Sequence, residues 1–188
     1  MTEIEETVRR FLDGEEEAFG QIVRSWEKRV FNLAWRMLGN REDAQDVVQE
    51  TFLSIFKSLR GLRDPARFPT WLYRIALNHC HSRRRSRVPE ISLNDPVLGT
   101  SGSGEEFGSD IPAAGSGGQS VEVLDIVRKA LAGLSEDHRT AIVLKEYEGL
   151  SLEEIARVMD CPLSTAKSRL YHGLREVQRN LKQLGVGP

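Results

Sequence analysis

Apolar positions in this chain recur three and four residues apart, the repeat of a helix with one buried side. Ala44, Val47, Val48, Phe52, Ile55, Phe56 and Leu59 form one broad stripe, behind Asn40 and Asp43 as capping residues. The preceding segment, Glu15 to Leu38, reads as helix up to Gly39, a glycine suited to a left-handed stop. A further helix is predicted from Pro69 to about Arg85, with Trp71, Leu72, Ile75, Ala76 and His79 on its inner face. Near the end, Ser151 and Glu154 make a capping box, and Leu150 is placed to staple onto Ile155. Ile155, Ala156 and Met159 share a face until Asp160-Cys161-Pro162 breaks the run, because proline can start a helix but not continue the one before it. Beyond that corner Ala166, Leu170, Leu174, Val177 and Leu181 mark the buried stripe of a second helix. No alternating pattern competes, so the expected fold is all-α.

The segment 88–120 lacks this periodicity. Gly99, Gly102, Gly104, Gly108, Gly115, Gly117 and Gly118 are interleaved with serines, prolines and acids, a composition that cannot bury a core. The expected organisation is two small helical domains, 1–87 (a helical bundle) and 121–188 (a helix-turn-helix unit), joined by a flexible Gly/Ser-rich linker over 88–120.

A chain of 188 residues is long enough for two such domains, and its apolar and charged fractions, 39% and 29%, suit a soluble globular protein. No apolar run approaches the roughly 20 residues needed to cross a bilayer. Glu3, Glu5 and Glu6 make the start acidic, unlike a secretory signal, so the expected location is the cytoplasm. The net charge of −2 hides segregation. Arg63, Arg67, Arg74, Arg83, Arg84, Arg85 and Arg87 stand against Asp64 alone; Lys167, Arg169, Arg175, Arg179 and Lys182 stand against Glu176. His79-Cys80-His81 point in three directions on a helix and find no partner motif, so neither a metal nor another cofactor is expected, and no disulfide is expected between Cys80 and Cys161.

Three faces are candidates for binding. The outward side of the last helix carries Ser164, Lys167, Ser168, Tyr171 and Arg175, short hydroxyls and cations fit for close approach to a duplex. Arg74, Asn78, His81 and Arg85 align on the helix after Pro69, behind the loop GLRDPARFP, whose arginines and Phe68 could hold unstacked bases. Glu42, Asp46 and Glu50 repeat four residues apart, a spacing at which like charges cost about 0.2–0.5 kcal/mol per pair, which hints at a basic partner. Against each stands a plainer reading: a solvated amphipathic face, Phe68 and Trp71 as core, a merely hydrated acidic surface.

The segments AFGQIVRSWEKRVFNLAWRMLGNREDAQDVVQETFLSIFKSL, FPTWLYRIALNHC and LSEDHRTAIVLKEYEGLSLEEIARVMDCPLSTAKSRLYHGLREV, in that order, resemble bacterial extracytoplasmic-function (ECF) sigma factors over nearly the whole chain. The resemblance implies a first domain, region 2, that docks on the clamp helices of the polymerase largest subunit through Asp46, Gln49 and Glu50. It implies minus-ten recognition and melting by Arg67, Phe68, Arg74, Asn78, His81, Arg84 and Arg85, with the Arg83 to Arg87 cluster on phosphates. Region 4 would read the minus-thirty-five element with Ser164, Thr165, Lys167, Ser168, Tyr171, His172 and Arg175; His172 departs from the arginine common there. Core RNA polymerase, including the flap of its second-largest subunit, promoter DNA and a cognate anti-sigma factor are the implied partners, with no chemistry asked of the chain itself. Two other readings stay open: a helix-turn-helix operator-binding regulator acting without polymerase, and an enzyme with a DNA-docking tail, for which residues 1–87 offer no convergent acid/base or metal cluster.

Overall fold

The computed structural model describes residues 2–87 and 121–186, and within them the protein is helical with no strand. The expected linker over 88–120 lies outside the described residues. The N-terminal unit comprises α1 (Glu3–Leu12), α2 (Glu17–Leu38), α3 (Arg41–Ser58) and α4 (Phe68–Arg87). The C-terminal unit comprises α5 (Val121–Ala132), α6 (Glu136–Ile142), α7 (Leu152–Val158) and α8 (Leu163–Gln183).

Local chemistry sets the boundaries. Gly39 ends α2 at φ +70°, and the Asn40 side chain accepts from the Asp43 N–H at 2.9 Å to start α3. The Ser151 capping box forms in both directions: the Ser151 N–H donates to Glu154 Oε2 at 2.8 Å, and the Glu154 N–H to Ser151 Oγ at 3.2 Å. Asp160 takes φ +50° in the corner between α7 and α8, and the half-buried Cys161 beside it sends its N–H to Ala156 O at 3.0 Å. Two departures matter. α4 begins at Phe68, so proline occupies its first turn while Phe68 turns inward. α6 continues directly into a single π turn, Val143–Tyr147, in which the Glu148 N–H reaches back to Val143 O at 3.3 Å.

Ile22, Trp26, Val30 and Leu33 of α2, Val47 and Ile55 of α3, and Phe68, Leu72 and Ala76 of α4 fill the N-terminal core. That core does not stop at the unit boundary: Val143, Leu144, Leu150, Ile155, Val158 and Ala166 belong to the same buried cluster. A second, smaller cluster of Leu131, Leu134, Ala141, Ile142 and Leu170 holds α5, α6 and α8 together. Within α8 the buried positions are Ala166, Leu170 and Gly173. Leu174, expected in that stripe, is 38% exposed, because Gly173 brings α8 against α6 and turns the next residue outward.

Candidate nucleic-acid interface

α8 presents one side to solvent along its first three turns. Ser164, Lys167, Ser168, Tyr171, His172 and Arg175 are exposed, Tyr171 by 56%, and Thr165 is half-buried. The helix starts at Pro162 with no side-chain cap, so the N–H groups of its first turn lie beside Ser164 and Thr165. Ser168 Oγ donates back to Thr165 O at 3.0 Å, leaving its lone pairs as acceptors. The His172 ring lies 6.2 Å from that of His138, nearly parallel, and His138 Nδ1 is 2.9 Å from Glu176 Oε2. All seven residues expected at this face therefore cluster on it, with Thr165 at its edge.

The α4 side divides. Arg67, Arg74, Asn78 and Arg85 are exposed as expected. Phe68 is not: it is fully buried, edge-on to Trp26 at 5.8 Å, and so is corrected from a base-facing residue to a core one. The reason is the earlier helix start, which moves it from the loop to an inward-facing first position. Trp71 is half-buried against Phe68. His81 is half-buried with Nε2 3.4 Å from Glu136 Oε1; burial pushes its pKa below the usual histidine range, so at neutral pH it is an uncharged ring. Arg84 is half-buried as well, with Nη1 closed off from solvent. The loop before α4 is made of two 3₁₀ turns, Leu59–Gly61 and Pro65–Arg67, held in part by the Asp64 carboxylate on the Ala66 N–H at 3.1 Å.

The acidic stripe of α3 has an internal partner. Arg83 donates from Nη1 to Asp46 Oδ2 at 2.5 Å and from Nη2 to Glu50 Oε1 at 2.6 Å, and stands 3.6 Å from Asp43 Oδ1. Arg83 is thereby removed from the cations expected on phosphates. Asp46 and Glu50 stay about half exposed, and Gln49 is exposed between them. Beside them a shallow apolar groove of about 430 Å³ runs between α2 and α3, rimmed by Phe19, Val23, Phe52, Leu53 and Phe56.

Contacts between the two units involve, besides Arg74, residues that the sequence did not single out. Arg139, 5% exposed, gives Nε to Leu131 O at 2.9 Å, Nη2 to Ala132 O at 2.7 Å and to Leu134 O at 3.3 Å, and Nη1 to Met37 O at 2.9 Å. It closes the ends of α2 and α5 with one guanidinium. Desolvation lowers its pKa to about 10, so it keeps its charge at neutral pH. The Tyr73 hydroxyl donates to Glu148 Oε2 at 2.6 Å, and burial first, then that carboxylate, raise the phenol's pKa, so the proton stays on Tyr73. Arg36 stacks over Tyr147 at 4.0 Å, and Arg74 Nη2 reaches Asp160 Oδ2 at 2.9 Å. Among the described residues no cluster of His, Cys, Asp and Glu is set to hold a metal, and no helix is long and apolar enough to cross a membrane. The Cys80 thiol, buried in the core, has its pKa pushed up to about 12 and is unreactive at neutral pH.

Family models for sigma-70 region 2 and sigma-70, region 4 match residues 22–89 and 124–177. The chain is 32% identical over 185 residues to the ECF RNA polymerase sigma factor SigW of Bacillus subtilis, covering 96% of this chain and 98% of that one. It is 34% identical over 182 residues to the ECF RNA polymerase sigma-E factor of Haemophilus influenzae, covering 94% of each. Among solved structures it resembles the sigma factor RpoE of Bartonella quintana in complex with the anti-sigma factor NepR, with a TM-score of 0.69, 27% identity and 87% and 96% of the two chains covered. CnrH in complex with the cytosolic domain of CnrY shares the fold at a TM-score of 0.70 and 23% identity, over 96% and 97% of the two chains.

Proposed function

We propose a division of labour that follows from one fact: the chain belongs to the extracytoplasmic-function family of RNA polymerase sigma factors. It binds core RNA polymerase and directs it to promoters. In our reading, residues 1–87 dock on the polymerase clamp through Asp46, Gln49 and Glu50 and open the minus-ten element with Arg67, Arg74, Asn78 and Arg85. Residues 121–188 carry α8 into the major groove of the minus-thirty-five element, and 88–120 connect the two.

The observation that carries this reading is the α8 face: a hydroxyl-rich first turn, Lys167 at its centre and Tyr171 and Arg175 beyond, all outward while Ala166, Leu170 and Gly173 pack inward. A helix so mounted has its first turns available to base edges and phosphates. The chain supplies binding energy to offset strand separation, averaging roughly 1.4 kcal/mol per stacked step, and leaves bond making to the polymerase. We therefore assign it no enzymatic activity and a cytoplasmic site of action, and expect a cognate anti-sigma factor to cover its docking surfaces.

Engaging DNA with Arg74 requires parting it from Asp160. Both side chains are substantially exposed, and such pairs contribute about 0–1 kcal/mol, so the contact yields to a phosphate without difficulty. Run-off transcription with purified core polymerase tests the function. Promoter-specific RNA that depends on this chain is the expected result. Tight operator binding without polymerase, and no transcript at any candidate promoter, would instead favour an ordinary helix-turn-helix regulator.

A further inference from the structure

The acidic stripe on α3 would repel itself if left alone, and the structure resolves it with a cation from the neighbouring helix. Arg83 sits on α4, on the far side of the helix that carries Asn78, yet its guanidinium bridges the Asp46 and Glu50 carboxylates by one nitrogen each. Glu50 is held from its other side too: His79 Nδ1 is 3.3 Å from Glu50 Oε2, while His79 Nε2 lies 3.0 Å from Ser54 Oγ. Two residues of α4, Arg83 and His79, thus converge on a pair of α3 carboxylates, with Ser54 holding the far side of the His79 ring.

The exposures decide what this arrangement does. Side-chain exposure is 23% for Arg83, against 51% for Asp46 and 43% for Glu50. The cation lies behind and the acids stand in front. A guanidinium placed over the carboxylates would shield them from a basic partner; one placed beneath them fixes their rotamers and leaves outward surface for that partner. Ordering flexible side chains before association removes part of the entropy that binding would otherwise cost. A planar fork suits this task, since it meets two carboxylates at once where a lysine ammonium meets them as a point charge.

We propose that Arg83 is a positioning residue for polymerase docking: from α4 it sets the orientation in which α3 offers Asp46 and Glu50 to the polymerase. The proposal rests on the assignment of those acids to polymerase binding. It also joins two activities in one helix, because the segment that reads promoter DNA holds the polymerase-binding acids in place.

The test is the equilibrium affinity of the full chain for core polymerase. Arg83→Gln, which keeps part of the stem and an amide NH2 but loses the charge and the two-nitrogen fork, is expected to weaken binding roughly tenfold, within the range of coupling energies between contacting residues. Arg83→Lys should restore part of the loss. On an Asp46→Asn, Glu50→Gln background, Arg83→Gln should add nothing further, a non-additivity that loss of fold would not produce. If the Asp46→Asn, Glu50→Gln variant itself binds core normally, the docking assignment fails and takes this proposal with it. If that variant binds weakly while Arg83→Gln binds as well as or better than the parent, or if the effects add in full, the docking assignment stands and the positioning role is overturned.

Discussion

The two basic stretches of this chain look alike in sequence and part company in the structure. On α4 much of the charge is taken up internally: Arg83 lies against α3, His81 is neutral against Glu136 and Arg84 is half-buried, while the exposed Arg74 holds Asp160 only loosely. On α8 the pairs of Arg169 with Asp137 and Arg179 with Glu176 lie off the outward face, while Lys167, Tyr171 and Arg175 face water. A count of arginines therefore overstates the free cationic surface of the first stretch and states that of the second more fairly. What separates them is where the neighbouring carboxylates lie: on α8 they meet Arg169 at the side packed on α6 and leave the outward face untouched.

The extreme of internal use is Arg139, and removing it should have the largest effect. Arg139→Met abandons four carbonyls at two helix ends; hydrogen bonds to charged groups are worth about 1.5–3 kcal/mol each, so we expect a loss of roughly 3 kcal/mol or more, read as a lowered urea midpoint. A loss under about 1 kcal/mol would mean that water replaces the guanidinium without penalty. Gly173→Ala comes next, because its Cβ would lie 2.9 Å from Ile142 Cδ1 and 3.2 Å from the His138 carbonyl, which cannot yield as a side-chain tip can. About 1–3 kcal/mol should be lost, the usual cost of overpacking, with α8 displaced from α6 and minus-thirty-five recognition weakened. An unchanged midpoint would show that the two helices separate freely.

On the outward face, Lys167→Ala should reduce holoenzyme affinity for promoter DNA by about 1–2 kcal/mol, roughly tenfold, and leave the affinity for core polymerase as it was. Equal loss on templates with a scrambled minus-thirty-five element would make Lys167 a phosphate contact and not a reader of bases. The smallest effect is expected from His81. Its folded pKa lies below the ordinary value of 6.5, with burial the main cause, Arg84 and Arg85 acting in the same direction and Glu136 and Asp137 opposing. The unfolded chain therefore takes up the proton first as pH falls through 6.5, and stability declines from there until the folded value is passed. Wild type should lose more stability than His81→Gln between neutral and mildly acidic pH; parallel curves for the two would remove His81 from that account.

Much of this was legible in the residues. Helix stops at Gly39 and Asp160-Cys161-Pro162, and the caps at Asn40 and Ser151, are local chemistry, and local chemistry can be read from a string. The α8 face followed from its period because it meets nothing that would redirect it. Phe68 was misplaced because it belongs to the first turn of α4 and packs on Trp26, a tertiary contact that the loop reading left out. Arg83 carried a usable signal, since carboxylates spaced along α3 ask for a cation on whichever helix packs beside them, and α4 was the basic candidate. Arg139 carried none: carbonyls at two helix ends become a binding site only once α2 and α5 have been brought together by the fold.

The wide coil at Val143–Tyr147 adds one residue to the ordinary repeat, and that surplus sets the azimuth at which Tyr147 and Glu148 leave the end of the helix. A residue advances about 100° around a helix, so excising one from this stretch could heal the backbone while swinging Tyr147 away from Arg36 and Glu148 away from Tyr73. Those two contacts would be lost with every one of their side chains still in place, leaving Arg139 and the shared apolar core to join the halves. A phase shift in the backbone is thus what aims Tyr147 and Glu148 across the boundary.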